Sequence, residues 1–169
     1  MTACEAAHWF DFQKFFKESD RILVKNGVIA FIGYFLPEPI DPNNNVSVDQ
    51  ILSDLVLKAL NDPILVPYKS PKIVSIEKHY HDFKFPDNYQ FVHKDNLLNS
   101  FKARAQDLVG FIESLSFYQG LVNSDKQKAD HFIQQFKQKL KDILKTEDLS
   151  NKQIIINYRY FIAMGRKID

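Results

Sequence analysis

The alternation of apolar and polar positions divides the chain into a few clear segments. Phe12, Phe15, Phe16, Ile22 and Leu23 recur at helical spacing behind Asp11, a good N-cap, and predict a helix over 11–23. Lys25-Asn26-Gly27 closes it, and Val28–Phe35 follows as a continuous apolar run. Such a run directly after a helix suits a strand covered on both faces, as in a parallel α/β sheet. Pro37 is expected to end that strand, because all seven prolines lie between residues 37 and 86 and mark interrupted structure rather than more sheet. Val48, Ile51, Leu52, Leu55, Val56, Ala59 and Leu60 form a helical stripe stopped by Asn61-Asp62-Pro63. Residues 64–86 read as loop, with one short strand at 73–78. A third helix is expected over 107–118, continuing upstream from about Leu97, although a strand near 89–93 is also open. Phe132, Ile133, Phe136, Leu140 and Leu144 line a fourth helix that Ser124 and Gln127 are placed to cap. The β-branched and aromatic run 154–164 predicts a terminal strand.

Composition then narrows the function. The chain has 169 residues, one domain's worth, with 22 Lys+Arg against 21 Asp+Glu, a balance that leaves no basic footprint for nucleic acid. No apolar run is long enough for a membrane span. The lone cysteine, Cys4, excludes a disulfide framework and fits a reducing compartment, so a cytoplasmic protein is expected. Fifteen Phe and seven Tyr point to a ring-rich core or pocket. The five glycines stand apart, so no phosphate-cradling glycine loop can be written from them.

Several motifs in order carry a resemblance. They are Ala6-Ala7-His8-Trp9-Phe10-Asp11, Arg21-Ile22-Leu23, Asn26-Gly27-Val28-Ile29-Ala30, Gly33-Tyr34, Leu65-Val66-Pro67-Tyr68, Gly110–Tyr118 and the closing Tyr160–Lys167. Together they resemble the C-terminal part of class I S-adenosylmethionine-dependent methyltransferases, in the branch similar to trans-aconitate methyltransferases. The resemblance implies an α/β fold: part of a seven-stranded, Rossmann-like sheet with a helical lid insertion, without the N-terminal strands that hold most of the cofactor. It divides the chain into a sheet edge (1–36), a lid or substrate cap (37–123) and a final helix and strand (124–169). The family's glycine-rich cofactor loop and ribose-binding carboxylate have no counterpart here. The chain is therefore expected to be a truncated methyltransferase that binds S-adenosylmethionine poorly by itself.

The same resemblance places Ala7, His8 and Trp9 beside the amino-acid part of the cofactor, although a core anchor and a satisfied histidine remain alternatives for Trp9 and His8. Methyl transfer needs positioning more than proton chemistry, so no catalytic residue is assigned. Tyr34 ends the next strand on the same edge and is a candidate ligand contact, or else a rim aromatic. Ser114 and Tyr118, four apart on the expected helix, together with Ser116 and Gln119, are candidate substrate contacts in the lid. Arg159 is a candidate carboxylate clamp for an acidic substrate. His79 and His81 would share a strand face beside Asp82, but Cys4, His93 and His131 show no ligand spacing, so no metal site is expected.

Two functions follow. In the first, implied by the resemblance, the chain is part of an enzyme that methylates a small molecule, a carboxylic acid being one candidate. Alternatively it is a non-catalytic relative that forms a homodimer, or pairs with a full-length relative, through an exposed sheet edge. A small apolar-ligand carrier ranks last, for want of the many alternating strands of a barrel.

Overall fold

The computed structural model describes residues 1–43 and 46–168. Four strands form one sheet: β1 (Thr2–Cys4), β2 (Val28–Ile40), β3 (Tyr89–Arg104) and β4 (Gln153–Lys167), in the order β1-β2-β4-β3. β1 and β2 are parallel, with Cys4 opposite Ile32, and α1 (Phe12–Ile22) makes the crossover that parallel pairing needs. Backbone bonds join Asn26 and Gly27, which precede β2, to Lys167 at the end of β4, so these two strands run antiparallel. The Ile168 N–H donates to the Asn88 carbonyl at 3.0 Å, setting β3 and β4 antiparallel as well. The result is a mixed α/β fold.

The chain divides into two compact units. The first comprises residues 1–35, 71–98 and 159–169. Its core is aromatic and centres on Phe31, whose ring lies 5.4 Å from both Phe15 and Phe85 and 5.8 Å from both Phe12 and Phe83. The apolar stripe of α1 exists to cover this ring, while Asp11 caps the helix by accepting the Lys14 N–H at 3.2 Å. The phenylalanine excess is thus largely absorbed as packing. Tyr89 Oη donates to the Asp20 carboxylate at 2.8 Å, and Lys167 Nζ donates to the Asp20 carbonyl at 2.7 Å, so the end of α1 is tied to both β3 and β4.

The second unit comprises residues 36–70 and 99–158. It packs α2 (Val46–Leu60), α4 (Ala105–Ser114), α5 (Ser116–Ser124) and α6 (Lys126–Leu144) around Leu52, Val56, Leu108, Ile112, Leu121 and Leu140, all fully buried. The helix α3 (Val74–Glu77) belongs to the first unit.

Several local expectations are corrected. β2 continues through Pro37 and Pro39 to Ile40, because proline's fixed φ is compatible with extended backbone and costs only a ladder donor. Residues 71–77 coil into a 3-10 turn and α3 instead of a strand. The run from Leu97 to Arg104 is strand β3, not helix. The helix expected over 107–118 breaks at Leu115, whose ψ of 133° is extended, so Ser114 and Tyr118 do not share a helix face. The cap of α6 is Asp125, which accepts the Lys128 N–H at 3.0 Å, one residue beyond the Ser124 expected from the pattern.

Candidate functional site

In open α/β sheets, ligands collect beyond the carboxyl ends of parallel strands. β1 ends at Cys4, and the chain leaves the sheet through Glu5, which holds a left-handed φ of 49°. The Glu5 N–H still donates to the Ile32 carbonyl at 2.9 Å, and its carboxylate turns back to accept the Tyr34 N–H at 2.7 Å. Burial raises the pKa of Glu5 from 4.5 to about 7, against the smaller opposing effect of that one N–H. This places a carboxyl group that changes charge near neutrality at the junction of β1 and β2.

Gly33 makes the junction possible. A Cβ there would come 2.6 Å from Cε2 of Phe161 and 3.0 Å from Oε1 of Glu5. Only a residue without a side chain lets the Phe161 ring and the Glu5 carboxylate approach β2 so closely.

A 3-10 turn over Ala7–Trp9 follows, with Ala7 wholly buried. His8 is buried, and its Nδ1 lies 3.1 Å from the phenol oxygen of Tyr80, a residue without solvent exposure. Burial lowers the pKa of His8, helped by the Lys72 charge, so its imidazole is held neutral. Burial, with the Glu5 charge next, pushes the Tyr80 phenol well above its ordinary range, while the backbone N–H groups of His8 and Ala7 oppose the rise. The phenol keeps its proton, and we assign His8 the tautomer in which Nδ1 accepts from it and Nε2–H is the free donor of the ring. Trp9 remains 45% exposed, with its ring 4.8 Å from that of His8. Lys72 Nζ lies 5.9 Å from the indole centroid and donates to the Trp9 carbonyl at 3.2 Å.

The structure thus brings Ala7, His8 and Trp9 together at the end of β1. Glu5 and Tyr80 were missed by the sequence reading. Glu5 adjoins the Ala-Ala-His-Trp motif, so position signalled it, but its burial did not show. Tyr80 arrives from 72 residues away and carries no local signal. Tyr34 sits half-buried on β2 with its ring 5.5 Å from Tyr160, and Arg159 is exposed on β4, within the same unit.

The remaining candidates lie in the helical unit and are engaged locally. Ser114 Oγ donates to the Phe111 carbonyl at 2.7 Å, and Gln119 Nε2 donates to the Glu113 carbonyl at 2.6 Å. Tyr118 is buried against Phe132, with ring centroids 6.2 Å apart, while Ser116 is exposed at the start of α5. A cavity of about 420 Å³ lies between α2 and α6, bordered by Leu55, Ala59, Phe132 and Phe136. None of the candidate ligand contacts expected from sequence lines it.

A second polar cluster forms where the 79–81 turn meets β3. His79 and Tyr80 are consecutive non-glycine residues with left-handed φ of 52° and 59°, a conformation costing about 1–2 kcal/mol per residue. His79 Nδ1 lies 3.0 Å from Asp95 Oδ1, and His81 Nε2 lies 3.0 Å from Asp95 Oδ2. His93 Nδ1 lies 3.3 Å from that same Oδ2, while its Nε2 donates to the His79 carbonyl at 2.7 Å. Asp95 holds a pKa below the usual carboxylate range: burial acts to raise it, but the bonds from His79 and His81 and the nearby imidazoles together outweigh that effect. The acid that joins the histidines is therefore Asp95, not the adjacent Asp82, which instead accepts from Ser75 Oγ at 2.9 Å.

No family model matches the chain. It is 25% identical over 167 residues to a Dictyostelium discoideum protein described as a candidate methyltransferase, an alignment covering 99% of this chain and 59% of that protein. In fold it is similar to the solved structure of a candidate type II methyltransferase from Anaeromyxobacter dehalogenans, with a TM-score of 0.69, 19% identity, and coverage of 98% of this chain and 63% of the other. The chain therefore spans about six-tenths of the length of either protein, and along that span it is similar to one in sequence and to the other in its mixed α/β fold.

Proposed function

We propose that this chain forms part of an S-adenosylmethionine-dependent methyltransferase site for a small molecule, with Glu5, Ala7, His8 and Trp9 on the side of the cofactor's amino-acid and sulfonium groups. The observation that supports this most directly is the half-buried Glu5 carboxyl at the carboxyl end of β1, four residues before the half-exposed Trp9. The cofactor's ammonium and sulfonium are cations. A desolvated carboxyl with a pKa of about 7 gains its charge most readily when such a cation sits beside it. The indole already attracts the Lys72 ammonium, so its face suits a cation, and Lys72 offers a partner for the cofactor's own carboxylate. When bound, the cofactor supplies the activated methyl group.

The protein residues position rather than relay protons. His8, fixed by Tyr80, offers Nε2–H as a donor and is not set up as a base. Tyr34, with its ring 5.5 Å from Tyr160 on the neighbouring strand, is the substrate-side residue of this reading. Arg159 is next to Tyr160 on β4 and faces the other side of the sheet, so as a carboxylate clamp it would serve a carboxylic acid only there.

Trp9 is the one tryptophan in the sequence, so its fluorescence reports on this site directly. Titration with S-adenosylhomocysteine should change it saturably. A dissociation constant on the order of 1 mM is expected for a site with one carboxyl group and one indole and no glycine-rich loop. Fluorescence indifferent to the ligand at several millimolar would reject the assignment, and micromolar affinity would reject the expected weakness.

A second reading, self-association or pairing with a relative, is favoured by one observation. β3 is an end strand of the sheet and exposes Phe91, Val92, Leu97 and Leu98. Sedimentation velocity across a concentration series separates the readings, since a monomer at high concentration leaves no role for that edge in self-association.

A further inference from the structure

We propose that His81, His93 and Asp95 form a binding site for a divalent first-row transition ion, Zn²⁺ by its donor set, with His79 as the residue that positions the Asp95 carboxylate. The argument starts from the tautomer of His93. Its Nε2–H is committed to the His79 carbonyl at 2.7 Å, so a neutral ring presents the lone pair of Nδ1 to Asp95 Oδ2, 3.3 Å away. Two acceptors facing each other at that distance are reconciled by a proton or by a metal ion, and the ligand spacing points to the latter. A ligand histidine whose second nitrogen is anchored on a backbone carbonyl is the arrangement that metal sites use to fix ring orientation.

The spacing also fits. Bonds of ~2.0–2.1 Å in a tetrahedral zinc site separate neighbouring donors by about 3.4 Å. Here Asp95 Oδ2 lies 3.0 Å from His81 Nε2 and 3.3 Å from His93 Nδ1, and donor atoms of the three residues all fall within 4.8 Å of one another. The rings of His81 and His93 lie with centroids 3.9 Å apart, tilted by 32°, and a nitrogen of each reaches the same carboxylate oxygen. His79 Nδ1 holds the other carboxylate oxygen at 3.0 Å and leaves Oδ2 for the ion. Two imidazoles and one carboxylate favour Zn²⁺, Ni²⁺ or Co²⁺ over Mg²⁺ or Ca²⁺, which prefer oxygen donors throughout.

The site sits on defined backbone. His93 and Asp95 are two apart on β3 and therefore share a face, and His81 is delivered by the left-handed turn at His79 and Tyr80. An ion there would staple that turn to the strand. Tyr80, the residue between the two turn histidines, is the one that meets His8, so metal loading and the order of the His8 environment are linked through one turn.

The test is calorimetric titration of the chelator-treated chain, free of any histidine tag, with Zn²⁺ in a non-coordinating buffer. One equivalent should bind, with loss of at least ~100-fold in affinity in His93→Ala and Asp95→Asn and ~10–100-fold in His79→Ala. His131→Ala should bind as the parent chain does. His81→Ala removes a largely exposed ring and leaves the fold intact, so its loss of binding cannot be ascribed to unfolding. Co²⁺ in place of Zn²⁺ should give the visible absorption of a four- or five-coordinate nitrogen and oxygen site. A Co²⁺ spectrum identical to that of the hydrated ion, or Zn²⁺ affinity unchanged in Asp95→Asn and His81→Ala, would overturn the proposal and leave an imidazolium–carboxylate cluster in its place.

Discussion

The phenol of Tyr80 lies 3.1 Å from Nδ1 of His8, across 72 positions of sequence, with Tyr80 wholly buried and His8 8% exposed. That bond decides which nitrogen of His8 is available to a ligand. Tyr80→Phe should remove the donor and leave a buried nitrogen unpaired, at a cost of about 1–3 kcal/mol in chemical denaturation. In His8→Ala the same second substitution should cost less, so a double-mutant cycle returns a positive coupling. Additive losses would show that the two groups do not form the bond.

Glu5→Gln should stabilise the chain at high pH and leave it unchanged at low pH. The folded pKa of about 7 lies above the ordinary 4.5, so the folded state holds the proton more tightly than the unfolded one. Stability from this group is complete below about pH 4.5 and is lost as pH rises through 7. After allowance for solvent screening of a partly exposed group, the loss amounts to about 1–3 kcal/mol. Urea midpoints of the parent chain and the variant should coincide near pH 4 and separate by pH 8. Parallel curves across that range would contradict the raised pKa.

Gly33→Ala places a methyl group into the Phe161 ring and against the Glu5 carboxylate. Overpacking of this kind costs about 1–3 kcal/mol. Phe161→Leu removes the ring edge that the methyl meets, so the double variant should recover part of the loss. The thermal midpoints of the four proteins in the cycle measure it.

Trp9→Ala should change stability by less than about 1 kcal/mol, because the ring is nearly half exposed. The same change should weaken S-adenosylhomocysteine binding several-fold, read by calorimetry since the fluorophore is gone. Unaltered affinity would remove Trp9 from the site.

Periodicity sufficed wherever one face of an element is buried. The stripes of α1 and α6 each declare which side meets the core, and the run of β4 declares a strand. The continuous apolar run opening β2, in contrast, reads as covered on both faces but alternates buried and half-buried positions. It failed where a neighbour, not the local pattern, selects the conformation. Residues 71–77 have the β-branched look of a strand but turn helical, placing Ile76 and Tyr80 in the Phe31 core. Leu97–Arg104 reads as helix but is held by the sheet as β3. Within β2, the two prolines mimic a stop that the extended backbone does not need. No helix among the described residues is long and apolar enough to cross a membrane, as the hydropathy pattern indicated.

The candidate site divides in the same way. Ala7, His8 and Trp9 are contiguous, so the order of the chain alone brings them to the end of one strand, and the five dispersed glycines already ruled out a phosphate loop. Glu5 becomes a near-neutral acid only because β2 and the Phe161 ring take water away from it, and desolvation is a property of packing. Tyr80 reaches His8, and His93 and Asp95 reach His81, only after a left-handed turn and a strand register bring them within hydrogen-bond range. Distances of about 3 Å between residues far apart in sequence are set by long-range closure of the chain, and no local pattern of residues encodes them.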